Sequence, residues 1–522
     1  MARVAGAFDS VVIGGEPNGL VAAITLAQRG SKVLLLEPAH ELGGSLREIE
    51  FAPGFRAAPL APDAGYIDPE VARVVGALPA VEATADPAVI SLADGRVLHL
   101  GASVESTARG LTDFSAQDAQ RWPEFAARMA ALAEFLATLY REPAPRIDSD
   151  TTGELFSLAR LGLRFRGLGT TNMVELLRTL PMALSDLLDD WFESSQLKGT
   201  LAALGVMDVA QGPVSGGTAF TFLHRHVGAR RGVFSERLRF KGGNGPLVSA
   251  LSARARSVGV QFEANAGVQE VAIRDGRVIG VTLITGETIS CRTVLSSLDP
   301  VRSLLELTDP VHLDPQFIHA VRNIRFRGVA TKILVALDAL PDVPGSSAPV
   351  AGAVVIAPST RYVERAYDAT KYGRCSDEPC IELRFPSVTQ PSLAPAGKHV
   401  AVLHVQFTPY RLREGNWDAA RDAVADRAFA IVEQHIPGFI SRVRARQVLS
   451  PPDIESTFGL REGAPSQGEM MLDQLLFMRP VPGYSRYAMP VPGLFLCGAG
   501  THPGAGATGL CGLLAARAAM AG

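Results

Sequence analysis

The apolar positions of this chain alternate between two rhythms, one of strands and one of helices. Residues 8–13 (FDSVVI) are a short β-branched run that predicts a buried strand. Gly14 and Gly15 break it, and Leu20, Val21, Ile24, Leu26 and Ala27 then recur at helical spacing. Gly30 stands where a helix-terminating glycine belongs, and residues 33–36 (VLLL) predict a second buried strand that ends at Glu37. Strand, helix and strand in this order make a parallel β-α-β unit.

Beyond it, residues 39–66 read as Gly/Pro-punctuated loop with short extended pieces. Residues 105–141 read as helix, with Phe125, Met129, Leu132, Phe135, Leu136 and Leu139 on one face, and helical patterns continue through 154–209. The stretch RLRFKGGNGPLVSALSARARSVGV predicts strand, glycine turn, helix and strand. Residues 268–273, 278–284 and 288–295 follow as strands, with DGR and GE turns between them. Between 316 and 470 the pattern is mixed, with strand-like GVATKILVAL and HVAVLHVQF and a helix at 417–435. The tail predicts a strand, a glycine-rich loop and a helix at 509–521, and neither repeats nor low-complexity segments interrupt the chain.

Composition narrows the classes. With 522 residues, 47% apolar and 20% charged, the chain is no disordered protein and can bury a large core. Length alone suggests two to four domains at roughly 150 residues each. The 51 glycines carry no collagen-like period, so turns and close backbone approaches must use them. A net charge of −3, from 50 basic and 53 acidic residues without a long basic block, argues against nucleic acid as a partner. Five cysteines exclude a disulfide scaffold and suggest a reducing compartment. MARVAGAFDS lacks a signal-peptide core, and no apolar run reaches membrane-spanning length. A cytoplasmic protein is expected. In SLARLGLRFRGLG, within 154–190, Arg alternates with Leu and Phe as in interfacial helices, so peripheral membrane contact and an ordinary surface helix are both open.

The glycine turn at 14–19 is the first candidate for chemistry. A strand, a glycine turn, a helix and an acid about 20 residues on form the dinucleotide-binding fingerprint. Gly14 makes the turn, Gly19 lets helix and strand pack closely, and the helix N-terminus offers N–H groups to a pyrophosphate. Glu37 would accept hydrogen bonds from the adenosine ribose. One position departs from the pattern: Glu16, followed by Pro17, stands where glycine lets backbone approach the phosphates. A carboxylate about 4–5 Å from a phosphate charge would cost about 3–4 kcal/mol at an effective dielectric near 20. The sequence favours a side chain turned outward to solvent. The other reading is a carboxylate that caps the helix and takes the anion seat itself.

These segments resemble a known family. GGEPNGLVAAITLAQRGSKVLLLE, LGGSLREIEFAPGF, GTLAALGVMD, RFKGGNGPLVSAL, DGRVIGVTLITGETISCRTVLSSLDP and PVPGLFLCGAGTHPGAGATGL fall in the order found in phytoene (carotenoid) desaturase-like flavoproteins. Within that family the chain is similar to the branch named after pyridine nucleotide-disulfide oxidoreductase domain-containing protein 2. The resemblance implies an α/β, glutathione-reductase-like flavoprotein with a Rossmann-type FAD-binding domain and an interleaved substrate domain. It implies FAD along Gly14, Gly15, Glu16, Asn18, Gly19 and Glu37, then along Gly43, Gly44 and Ser45. The adenine would lie by Val268, the ribityl chain by Gly498, Ala499 and Gly500, and the flavin ring by Thr508 and Gly509. Ala505, Ala507, Leu510 and Cys511 depart from the family's usual tail. A helix starting near 509 would turn its positive end toward the flavin's pyrimidine side.

The expected organisation is discontinuous: 1–80, 235–315 and 470–522 for FAD, and 81–234 with 316–469 for substrate. The expected activity is removal of hydride from a small, largely apolar organic substrate. The electron acceptor (oxygen, a quinone or a protein) and the oligomeric state stay open. So do a redox-neutral flavin isomerase and a non-catalytic binding or scaffold protein, the latter motivated by Glu16. His502, in GTHPG, is the one catalytic candidate, a packed loop histidine being its other reading. His224 and His226 suit one face of a strand without a cluster that completes a metal site, so no metal is expected. Cys375 and Cys380 read as unconnected surface cysteines.

Overall fold

The computed structural model describes residues 7–83, 85–144, 152–229 and 238–521. The leader-free reading of the first ten residues, and the start of the strand expected before Gly242, fall partly outside them. Two β-sheets organise the chain. The first is parallel, with five strands in the spatial order Leu494–Leu496, Thr293–Ser296, Ser10–Ile13, Val33–Glu37 and Gln261–Ala264. Residues far apart in sequence are neighbours in it: Val11 pairs with Val294 on one side and Leu34 on the other.

Period-two alternation explains how this sheet is covered on both faces. Val12 and Leu35 point to a core shared with the helices Pro17–Ala27, Gly245–Ser257 and Leu510–Ala521. Val11, Ile13, Leu34, Leu36, Val294 and Leu496 point the other way, onto an antiparallel sheet of Val268–Arg274, Arg277–Leu283 and Thr288–Ser290. The run expected as one strand over 288–295 is therefore two, because Cys291 and Arg292 carry the chain from the small sheet into the large one.

The second large sheet has seven strands, ordered Val443–Leu449, Ala330–Leu337, His399–Gln406, Ile381–Arg384, Ala353–Ile356, Val89–Ala93 and Arg96–Leu100. All its pairs are antiparallel except Ala353–Ile356 with Val89–Ala93. Ile333, Val335, Ala401, Leu403 and Val405 pack on the helix Trp417–His435, where the sequence places it. The helical stretch expected over 105–141 is two helices, Val104–Leu111 and Ala116–Tyr140. Thr112 caps the end of the first, and Ser115 caps the start of the second, accepting the Asp118 N–H at 3.0 Å. His224 and His226 lie on a helix, Thr218–His226, not on a strand, so two residues' spacing points them apart. Cys375 and Cys380 are free, but Cys380 is buried and is no surface thiol.

Among the described residues no helix is long and apolar enough to cross a membrane. Helix Thr152–Gly167 holds Phe156 at 72% and Leu163 at 71% exposure, and Gly169–Thr179 holds the exposed Val174 and Leu177.

Candidate functional site

The first strand of the parallel sheet runs straight into the glycine turn. Gly14 adopts φ +98°, and its N–H donates to Leu36 O at 2.8 Å, tying the turn to the second strand. A Cβ on Gly19 would lie 2.0 Å from Gly14 O, so only glycine lets the helix Pro17–Ala27 start this close to the strand. Glu37, at the end of Val33–Glu37, is buried and doubly anchored. Its Oε2 accepts the Gly15 N–H at 2.7 Å and its Oε1 the Ala39 N–H at 2.8 Å. Gly43 donates its N–H to Gly15 O at 2.9 Å, which brings Gly43, Gly44 and Ser45 beside the turn. Val268 begins the antiparallel sheet two residues past Ala266, whose N–H donates to Glu37 O at 2.9 Å.

The tail completes this region. Gly498 sits so close to Ser297 that a Cβ would lie 2.2 Å from its carbonyl oxygen. Ala499 O accepts from Arg479 Nε at 3.0 Å and Nη2 at 2.7 Å, and Gly500 N–H donates to Gln467 Oε1 at 2.9 Å. Arg479 is itself buried and faces backbone carbonyls, so burial pulls its guanidinium down to about 10. Thr508 Oγ1 donates to Ala64 O at 2.6 Å, and Gly509 adopts φ +78° before the last helix. That helix meets the first one at Gly512, where a Cβ would lie 1.9 Å from Asn18 O.

Glu16 does not turn outward, contrary to the reading the sequence favours. It is the N-cap of the helix Pro17–Ala27. Its Oε2 accepts the Asn18 backbone N–H at 3.0 Å and the Asn18 Nδ2–H at 3.1 Å. Its Oε1 is buried and has no partner, and so is Asn18 Oδ1. Burial pushes the Glu16 carboxyl up to about 7, against the Asn18 and Gly19 amides that favour its charge. The physical reason is local: Pro17 has no N–H to give, so the helix end is satisfied by a side chain reaching over it.

A cavity of about 330 Å³ adjoins this region. Ser45, Gly65, Asn244, Ala505 and Thr508 line one side of it. Lys332, Glu382, Arg384, His404 and Phe385 line the other, from the seven-stranded sheet and the loop beyond Ile381–Arg384. Most of the wall is apolar, including Leu46, Leu60, Leu204, Met207, Phe240, Leu393 and Met470.

Within that wall lies a buried polar cluster. Gln406 Nε2 donates to Val206 O at 3.0 Å and Val209 O at 3.1 Å, which fixes its Oε1 as an acceptor. That oxygen accepts from His404 Nε2 at 2.8 Å, so His404 carries its proton on Nε2. The Nδ1 lone pair then accepts from Lys332 Nζ. Lys332 Nζ is 3.7 Å from Asp208 Oδ1. Burial, then the Lys332 charge, holds His404 down to about 4, so the imidazole is neutral. Burial raises and the Lys332 charge lowers Asp208, which ends below the ordinary carboxylate range. Glu382 ends low as well, since Arg384, whose Nε donates to it at 2.6 Å, outweighs its burial.

Asp208 ends the segment GTLAALGVMD, but nothing in the sequence joins it to Lys332 and His404. They come from three distant segments, and only the register between Ala330–Leu337 and His399–Gln406, which pairs Lys332 with His404, could have joined two of them. His502 stands apart from the cavity wall. It is 1% exposed, its Nε2 donates to Leu139 O at 3.2 Å and Glu142 O at 3.1 Å, and burial holds it down to about 4. His224 Nε2 bonds Ala505 O at 2.9 Å and its Nδ1 bonds the Tyr140 hydroxyl at 2.8 Å. Among the described residues no three His, Cys, Asp or Glu side chains gather where they could hold a metal.

A parallel sheet with a glycine turn, an anchored acid and a second sheet across a cavity is the architecture of a glutathione-reductase-like flavoprotein. The chain belongs to the family of flavin-containing amine oxidoreductases, whose model matches residues 18–341. It is 33% identical to pyridine nucleotide-disulfide oxidoreductase domain-containing protein 2 of Rattus norvegicus, over 98% of this chain and 92% of that one. It is 27% identical to a lycopene-forming phytoene desaturase of Pseudescherichia vulneris, over 54% of this chain and 55% of that one. The fold is similar to that of an oxidoreductase from Methanosarcina mazei, with a TM-score of 0.62 and 14% identity over 98% of this chain and all of that one. The protein is thus an FAD-dependent oxidoreductase. The close approaches at Gly14, Gly19 and Gly498 pack strand, helix and tail together, and with the buried Glu37 they build the turn that a dinucleotide such as FAD uses. At the phosphate position Glu16 stands where a glycine would leave room.

Proposed function

We propose that the protein dehydrogenates a largely apolar organic substrate held in the cavity between the glycine-turn region and the seven-stranded sheet. The segments 1–80, 235–315 and 470–522 would hold FAD, and 81–234 with 316–469 would face the substrate. Bound FAD supplies a two-electron acceptor for hydride leaving a substrate C–H. The observation that carries this reading is the cavity itself, mostly apolar, bordered by Ser45 and Thr508 on the cofactor side. Leu204, Met207, Phe240 and Met470 would bury the substrate's hydrocarbon and exclude water. Lys332, held by His404 and Asp208, would orient a polar group at one end. The exposed Leu155, Phe156, Leu163, Val174 and Leu177 support delivery of such a substrate from a lipid surface.

The test is spectroscopic. The purified full chain should show an oxidised-flavin spectrum, or gain one on adding FAD, and anaerobic exposure to a panel of lipophilic alkenes, alcohols and amines should bleach it. Oxygen, a quinone and an electron-transfer protein are then compared as reoxidants. A protein that binds FAD but is bleached only by polar substrates would refute the apolar reading.

A further inference from the structure

We propose that the Glu16 side chain is an internal occupant of the pyrophosphate seat, and that FAD binds by displacing it. This rests on the assignment of the glycine turn as the cofactor site. In the fingerprint, free amides at the start of the helix carry the phosphates. Here Glu16 Oε2 already takes the Asn18 N–H, at 3.0 Å. The seat is shaped around this side chain: a Cβ on Gly44 would lie 2.6 Å from Glu16 Cβ. Oε1 is buried with no hydrogen-bond partner, so the carboxyl fits the space without being fully satisfied there. Such a group is held in place weakly enough to be exchanged for a ligand that brings more hydrogen bonds.

Charge points the same way. The groups with a charge interaction at Glu16 include Glu37 from the second strand, Cys497 after the last strand and Cys511 on the last helix. The cation beside Gly44, Arg47, donates to Gly44 O at 3.2 Å and Thr457 O at 3.0 Å rather than to the Glu16 carboxyl. A carboxylate and a pyrophosphate therefore compete for one helix end. The buried carboxyl, pushed up to about 7, carries a proton at pH 6 that it would shed on reaching solvent.

FAD titration of the full-length protein, stripped of flavin if it is purified loaded, tests this. Flavin fluorescence reads the dissociation constant for wild type, E16G and E16S; serine keeps a helix cap without a carboxylate. Both variants should bind FAD at least tenfold more tightly than wild type. Calorimetry at pH 6 in two buffers of different ionisation enthalpy should count nearly one proton released by wild type and none by the variants. Equal affinity in all three proteins would overturn the proposal, and so would proton uptake by wild type, which means the carboxyl stays buried beside the phosphates. Absence of FAD binding in all three would overturn the cofactor assignment itself, while circular dichroism confirms that each variant is folded.

Discussion

A single carboxyl sets an energetic tension in the cofactor-free protein. Glu16 is held at about 7 in the folded chain, above the ordinary 4.5, because burial opposes its charge. A group raised in this way favours folding when protonated. Its contribution is complete below about pH 4.5 and is lost as the pH climbs through 7. Replacing it with a neutral isostere removes the loss. In urea unfolding of the apoprotein, Glu16→Gln should add about 1 kcal/mol at pH 5 and about 3 kcal/mol at pH 8, relative to wild type. A pH-independent difference would mean that the carboxyl is solvated. The glycine that position 16 lacks was plain in the sequence. The direction of the side chain was not, because it depends on space at Gly44 and on the amide of Asn18, which the turn brings together only in three dimensions. The same holds for Lys332 and His404, whose partnership is a matter of strand register.

Helices and strands meet here through glycine contacts that admit no substituent. The last helix, Leu510–Ala521, lies against the first at Gly512, with Asn18 O where a Cβ would be. Gly512→Ala should push the two helices apart and cost about 2–3 kcal/mol, at the upper end for an overpacked core, read as a lower melting temperature. Because Asn18 belongs to the cofactor turn, FAD affinity should fall with it. The elements that the sequence revealed were those with one strong period: the first β-α-β unit, the helix Trp417–His435 and the tail. Those it hid had competing signals. TAFTFLHRH in Thr218–His226 is rich in Thr and Phe, which suit strands, yet tertiary packing makes it helix. Val89–Ala93 and Arg96–Leu100 are a short hairpin whose partners come from beyond residue 350, so nothing nearby announces the seven-stranded sheet.

At the scale of the molecule, the cavity lies between the glycine-turn region and the seven-stranded sheet. Met207 lines the cavity without belonging to the glycine turn. Met207→Trp should fill part of the 330 Å³ and block bleaching of the flavin by substrate, while the FAD content per chain stays that of wild type. Loss of both together would mean that the cavity and the cofactor site are one space. The glycine clusters at 14–19, 43–44, 242–245 and 498–512 were legible because each breaks a strand or helix pattern. The cavity's polar wall was not, since its charges are scattered singly over the chain. The parallel sheet has one more consequence, in time rather than space. Ser10–Ile13 is its central strand, yet the edge strand Leu494–Leu496 is synthesised roughly 480 residues later. At about 5–20 residues per second the ribosome needs about 25–100 s to supply it. Until then Thr293–Ser296 has no partner on its outer side, so the parallel sheet closes only once residue 496 is made.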